Sequence, residues 1–200
     1  MLSDIDSANN LVELFLKRAD EKGDFPFLGA KREGEWQTIS WREAADRVCL
    51  LAEGLRGLGL RDGDRVCLGS ENRPEWCIAD LAIMAAGCIT VPAYITNTER
   101  DHVHILDNSG AKAVIVSTEK LLRPLHGALQ ASGVAEHVIG IEDLHRQQSG
   151  SFSFHKWDRM LEGDPAAARK AVDTRIAGIS RSDTACIIYT SGTGGAPRGV

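Results

Sequence analysis

The chain has 200 residues, 43% of them hydrophobic, with 23 Lys and Arg against 28 Asp and Glu and a net charge of −5 at neutral pH. That composition belongs to a folded globular chain of one domain or two small ones, and it excludes disorder as the default state. An acidic balance with no Lys/Arg cluster leaves no counterion-release footprint, so no nucleic-acid partner is expected.

The longest stretch without a charge, residues 81–98, contains Gly87, Thr90, Pro92 and Asn97 and is too broken to span a bilayer. Asp4, Asp6 and Glu13 near the start, with no basic segment before an apolar one, do not make a secretory signal. Cys49, Cys67, Cys77, Cys88 and Cys186 are odd in number, widely spaced and set among apolar neighbours, which predicts reduced core thiols and a cytoplasmic location.

Residues 27–30 and 35–39 flank the polar stretch 31–34 and predict a β-hairpin. Ser40 then opens a helix, with Glu43 at capping-box spacing and Trp41, Ala44, Ala45, Val48, Leu51, Ala52, Leu55 and Leu58 at helical period before Gly59. The turn Asp62-Gly63-Asp64 leads into a buried strand at 66–69. Pro74 suits a helix start, and 76–86 is apolar almost all round with Asp80 its single charge, which predicts a helix packed on several sides. A strand at 89–91, a helix from Thr98 to about Asn108, a strand at 113–116, a helix at 118–131 capped by Ser117, and strands at 138–141 and 185–189 complete the series.

This alternation predicts an α/β fold, a mostly parallel sheet with helices on both faces. Four stretches are expected: hairpin and helix at 25–60, an α/β core at 61–141, a surface excursion at 142–173 with a short helix near 157–161, and a final strand and loop at 174–200. Sheets of this kind bind ligands beyond the carboxyl ends of their strands, which directs attention to the residues after Tyr189.

There, Thr190, Ser191 and Thr193 alternate with Gly192, Gly194, Gly195 and Gly199, and Arg198 adds a cation. Glycines let backbone N–H groups approach an anion, hydroxyls donate further hydrogen bonds, and a guanidinium supplies a planar, bidentate charge, so the composition is that of a phosphate cradle. A Walker A loop is excluded, because Gly194 and Gly199 are followed by Val200 rather than lysine. A dinucleotide fingerprint beginning at Gly192 and Gly194 fails at Pro197. A surface loop whose glycines serve only its turns stays open as the alternative.

The stretch 189–200, Tyr-Thr-Ser-Gly-Thr-Gly-Gly-Ala-Pro-Arg-Gly-Val, resembles the YTSGTTG-x-PKGV signature of the adenylate-forming enzymes, the superfamily of acyl-CoA synthetases, luciferases and peptide-synthetase adenylation domains. Trp41 with Glu43, Gly63 to Val66, Asn72 to Trp76, Ala86-Gly87, Val91 to Tyr94 and Thr96 to Thr98 stand in the order those enzymes use, and the Val-Pro-x-Tyr-x-Thr-Asn-Thr wording is most similar to fatty-acyl-CoA synthetases. The resemblance implies that the chain is the first part of a large N-terminal domain, without the C-terminal domain. It implies activation of a carboxylate with ATP and Mg2+ to an acyl-adenylate and pyrophosphate, then transfer to CoA. Thr190, Ser191, Gly192, Thr193, Gly194, Gly195, Arg198 and Gly199 would hold the phosphates, with no catalytic residue and no metal ligand in this stretch of chain. The implied partners are a fatty acid and CoA, and the resemblance admits peripheral membrane contact and a homodimer. Two residues depart from the signature: Gly194 replaces a threonine and removes a donor, and Arg198 replaces a lysine and keeps the charge.

A chain of this fold that lacks the rest of the enzyme also suits a non-catalytic module binding a nucleotide or a partner, or a dimerisation unit. His102 and His104, two apart on a helix, point to different faces and do not form a metal pair. Cys77, Cys88 and Trp76 are expected as core or anchoring residues. Arg42, Arg47, Arg56, Arg61 and Arg65, dispersed among acids, are expected on a solvated face.

Overall fold

A computed structural model describes residues 7–144, 152–190 and 197–200. Asn10 caps a first helix, α1 (Leu11–Lys22), by accepting from the Glu13 N–H, and Val12, Phe15, Leu16 and Ala19 bury one face of it. Antiparallel strands β1 (Pro26–Arg32) and β2 (Glu35–Ser40) form the expected hairpin. Its two-residue turn holds Glu33 and Gly34 at φ of 52° and 89°, the left-handed pair that matches the twist of a tight hairpin. Helix α2 (Trp41–Gly57) starts from Ser40, whose hydroxyl accepts from the Glu43 N–H at 3.1 Å. Only the serine half of the box is made, because Arg47 takes the Glu43 carboxylate at 2.5 Å.

The central sheet is parallel, in the order β4-β3-β5-β6-β7, built from β3 (Arg65–Gly69), β4 (Ile89–Ala93), β5 (Ala113–Val116), β6 (His137–Gly140) and β7 (Ser153–Lys156). Between them run α3 (Pro74–Ala85), α4 (Glu99–Ser109) and α5 (Glu119–Ser132). The chain steps from β3 to β4 in one direction and then crosses back past β3 to β5. Right-handed crossovers therefore put α3 on one face and α4 and α5 on the other. Alternate strand residues divide accordingly. Val66, Leu68, Ile115 and Ile139 pack in a core with α1, α2 and α3, while Cys67, Val91, Val114, Val116 and Val138 pack in a second core with α4 and α5. Strands buried on both faces read as unbroken apolar runs, which is why these were visible in the sequence.

Residues 142–173, expected as a surface excursion around one short helix, carry more of the fold than that. They supply the edge strand β7, the short helix α6 (Trp157–Met160) and most of α7 (Pro165–Ile176). Trp157, Met160, Ala168 and Val172 are buried in the first core. The expected cap also moves: Thr118, not Ser117, caps α5 by accepting from the Leu121 N–H at 3.3 Å, and Ser117 instead donates to the Glu71 carboxylate.

Candidate functional site

The stretch expected as the final strand lies along the outer side of β4. Ala185 accepts from the Thr90 N–H at 3.1 Å, and the Ile187 N–H donates back to the Thr90 carbonyl at 2.9 Å. Running parallel to β4, it carries the chain to the carboxyl end of the sheet, where ligands bind in folds of this topology. The chain then enters β8 (Tyr189–Thr190), which pairs antiparallel with β9 (Arg198–Gly199) in the register Thr190 opposite Arg198 and Tyr189 opposite Gly199.

Thr190, Arg198 and Gly199 are thus brought together as the two limbs of a hairpin. Ser191, Gly192, Thr193, Gly194 and Gly195 lie outside the described residues. Thr190 and Arg198 are exposed, and the Arg198 side chain makes no ion pair with a described residue, so its charge is available to an anion. Ile188 and Val200 exchange backbone hydrogen bonds at 2.8 and 3.1 Å and extend the pairing outward. Gly199 has a packing reason to be glycine: a Cβ there would stand 2.7 Å from the Ile187 side chain and 3.2 Å from the Tyr189 ring.

The hairpin is seated on α4. Tyr189, 4% exposed, donates its hydroxyl to Asn108 Oδ1 at 2.7 Å, and burial pushes its phenol up. His104 Nε2 lies 2.6 Å from the Pro197 carbonyl, with its ring edge-on to Tyr189. Helix α4 is itself held at both ends. Thr98 and Asp101 form a reciprocal capping box at the start, and at the finish Arg65 donates to the carbonyls of Ser109 at 2.6 Å and Gly110 at 3.1 Å. Arg65 therefore leaves the expected solvated face, because its guanidinium satisfies carbonyls that the helix end leaves open.

At the carboxyl end of the same sheet, the segments after β3 and β6 carry a polar network. Arg73 pairs with Glu75 at 2.8 Å and Glu142 at 2.9 Å, and Arg32 reaches Glu75 at 2.5 Å. Burial pushes the Glu75 carboxyl up, but the hydrogen bond and charge of Arg73 outweigh it and hold the group below its ordinary value. The network fastens the β1–β2 hairpin and the loop after β6 to the start of α3.

His102 is 5% exposed with Nδ1 unpartnered, and burial lowers its pKa, so it is a neutral core residue facing away from His104. Burial pushes the Cys49 and Cys67 thiols up to about 12 and Cys88 up to about 11, which makes them inert. Cys186, expected among the core thiols, is exposed instead. No group of three or more His, Cys, Asp or Glu among the described residues could hold a metal ion, and no described helix is long and apolar enough to cross a membrane. A cavity of about 700 Å3 lies at the opposite end of the sheet from the hairpin, lined by Leu11, Val12, Met84, Ile89, Arg175 and Ala185 among others. Sequence reasoning reached Thr190, Arg198 and Gly199 but missed Asn108. His104 was weighed only as half of a metal pair with His102 and set aside on that ground, and its contact with Pro197, 93 residues away, carries no local spacing signal.

The AMP-binding enzyme family model matches residues 15–200. Over 194 residues the chain is 29% identical to a long-chain-fatty-acid–CoA ligase of Mycobacterium tuberculosis, covering 96% of this chain and 30% of that one. A long-chain-fatty-acid–CoA ligase of Gallus gallus is 26% identical over 192 residues, covering 94% and 24%. Among solved structures, the adenylation domain of a carboxylate reductase from Mycobacterium chelonae superposes with a TM-score of 0.76 at 21% identity, covering 96% of this chain and 34% of that one. An anthranilate CoA ligase in complex with anthranoyl-AMP superposes with a TM-score of 0.76 at 20% identity, covering 98% and 35%. The chain spans 24–30% of the length of these curated relatives.

Proposed function

The chain belongs to the AMP-binding enzyme family, and from that premise we propose that it is the N-terminal part of an ATP-dependent acyl-CoA synthetase acting on a fatty acid in the cytoplasm. In the first step a carboxylate oxygen attacks the α-phosphorus of ATP, and pyrophosphate leaves with the electrons of the broken P–O bond. In the second, the CoA sulfur attacks the acyl carbonyl and AMP departs. Thr190, Ser191, Gly192, Thr193, Gly194, Gly195, Arg198 and Gly199 hold the β- and γ-phosphates. The protein contributes no nucleophile to the first step. The loop lowers its barrier by meeting the charge that collects on the departing pyrophosphate with hydroxyl and backbone donors and a cation. Mg2+, when bound, would supply further positive charge for the phosphates, and no described residue is assigned to hold it.

The observation that carries the reading is the exposed Thr190–Arg198 pair at the carboxyl end of a parallel sheet, with a guanidinium that no described acid neutralises. The long-chain ligases among the relatives support a fatty acid as the carboxylate. The 200 residues by themselves are expected to form no acyl-adenylate; pyrophosphate exchange by the isolated chain would refute this.

Arg198→Ala in the native polypeptide tests the assignment. Adenylation falls by roughly ten- to a hundredfold, as expected for loss of a hydrogen bond to a charged group, while thioester formation from preformed acyl-adenylate changes little. Equal loss in both steps removes Arg198 from the phosphate role.

A further inference from the structure

Two side chains one helical turn apart on α4 each hold one limb of the hairpin. Residues i and i+4 lie on one helix face, so His104 and Asn108 present a single edge to the loop. Asn108 receives the Tyr189 hydroxyl at 2.7 Å on the outgoing limb, and His104 meets the Pro197 carbonyl at 2.6 Å on the returning limb. A carbonyl only accepts, so the His104 Nε2 carries the proton of this bond. The two grips fall directly beside Thr190 and Arg198, which face each other in the register.

We propose that His104 and Asn108 are positioning residues that set the separation and orientation of Thr190 and Arg198. The hairpin needs this, because its antiparallel pairing runs over only Tyr189–Thr190 and Arg198–Gly199 and one further pair, Ile188 with Val200. A ribbon that short is not stable in isolation. The helix has the rigidity that the ribbon lacks, since its capping box and the Arg65 clasp fix both ends. The chain of support runs from Arg65 on β3 through α4 to the limbs. A guanidinium displaced by about an ångström loses much of its worth to a developing charge, and for that reason positioning matters to the chemistry. The inference rests on the phosphate role proposed for Arg198.

The test compares His104→Leu, which removes the donor, with His104→Gln, which keeps an N–H within reach, in the native polypeptide. Amide exchange at Ile188 and Val200 reads the seating of the hairpin without reference to activity. It is expected to quicken about three- to tenfold in the Leu variant, the range for loss of one neutral hydrogen bond, and to return most of the way in the Gln variant. KM for MgATP in adenylation is expected to rise by a similar factor in the Leu variant, with binding of the carboxylate unchanged. Tyr189→Phe, which deletes only the hydroxyl held by Asn108, provides a second route if the Leu variant does not fold, with the same expected direction. Unchanged exchange in both Leu and Phe variants overturns the proposal. So does faster exchange with an unchanged KM in an enzyme that adenylates. Faster exchange in a native polypeptide that makes no acyl-adenylate leaves the clamp standing and overturns the ligase reading instead.

Discussion

Glu33 and Glu75 show how single residues carry cost and support in this chain. Glu33 occupies a left-handed conformation in the hairpin turn at φ 52°, where a side chain with a Cβ is strained and asparagine or glycine is not. Glu33→Asn is expected to raise stability by about 0.5–1 kcal/mol, read as a higher urea midpoint at unchanged slope. Glu75 is buried and held ionised by Arg73 and Arg32. Its folded pKa is depressed, so the stability it contributes is complete above its ordinary value of 4.5 and is lost as pH falls through the lower folded value. Arg73→Met is therefore expected to cost about 1–3 kcal/mol at pH 7, with the difference shrinking as the solution is acidified below that range. A difference independent of pH would assign the loss to packing instead. Of the site, the chemistry-bearing types were legible in the sequence, because glycines, hydroxyls and a cation crowd one short stretch. The grips of His104 and Asn108 were not, since those contacts span 93 and 81 residues of chain.

At the scale of elements, the close approach of α2 to α6 reverses an ordinary preference. In a helix, glycine to alanine is stabilising by about 1 kcal/mol. A Cβ at Gly54 would stand 2.8 Å from the Met160 carbonyl, whereas one at Gly57 meets nothing within 4 Å. Gly54→Ala is expected to lower the denaturation midpoint and Gly57→Ala to raise it; two shifts of the same sign would contradict the packing described. The elements legible in advance were the hairpin, the helices α2, α4 and α5 with their caps or apolar period, and the strands β3 to β6 and helix α3, whose burial on several sides reads as unbroken apolar runs. Helix α1 was missed although Asn10, Val12, Phe15, Leu16 and Ala19 spell a cap and an apolar stripe. Strand β7 carried no signal, because an edge strand with half-buried Ser153, Phe154 and His155 has neither an apolar run nor a clean alternation.

At the scale of the whole molecule, the crossing of the chain from β4 back past β3 puts helices on opposite faces. Beyond the carboxyl ends of the strands it opens the place where the short hairpin is seated. Tyr94, Ile95, Ile188 and Val200, all exposed apolar residues, follow β4 or flank the hairpin at that same end. The cavity lined by Leu11, Met84 and Ile89 lies at the other end of the sheet. The proposed function puts the departing pyrophosphate of ATP at this end of the sheet. Exchange of labelled pyrophosphate into ATP by the native polypeptide, with and without a long-chain fatty acid, tests it most directly. Exchange that requires the fatty acid and collapses in Arg198→Ala is the expected result. Exchange that is absent from the native enzyme, or that survives the loss of Arg198 undiminished, would contradict it.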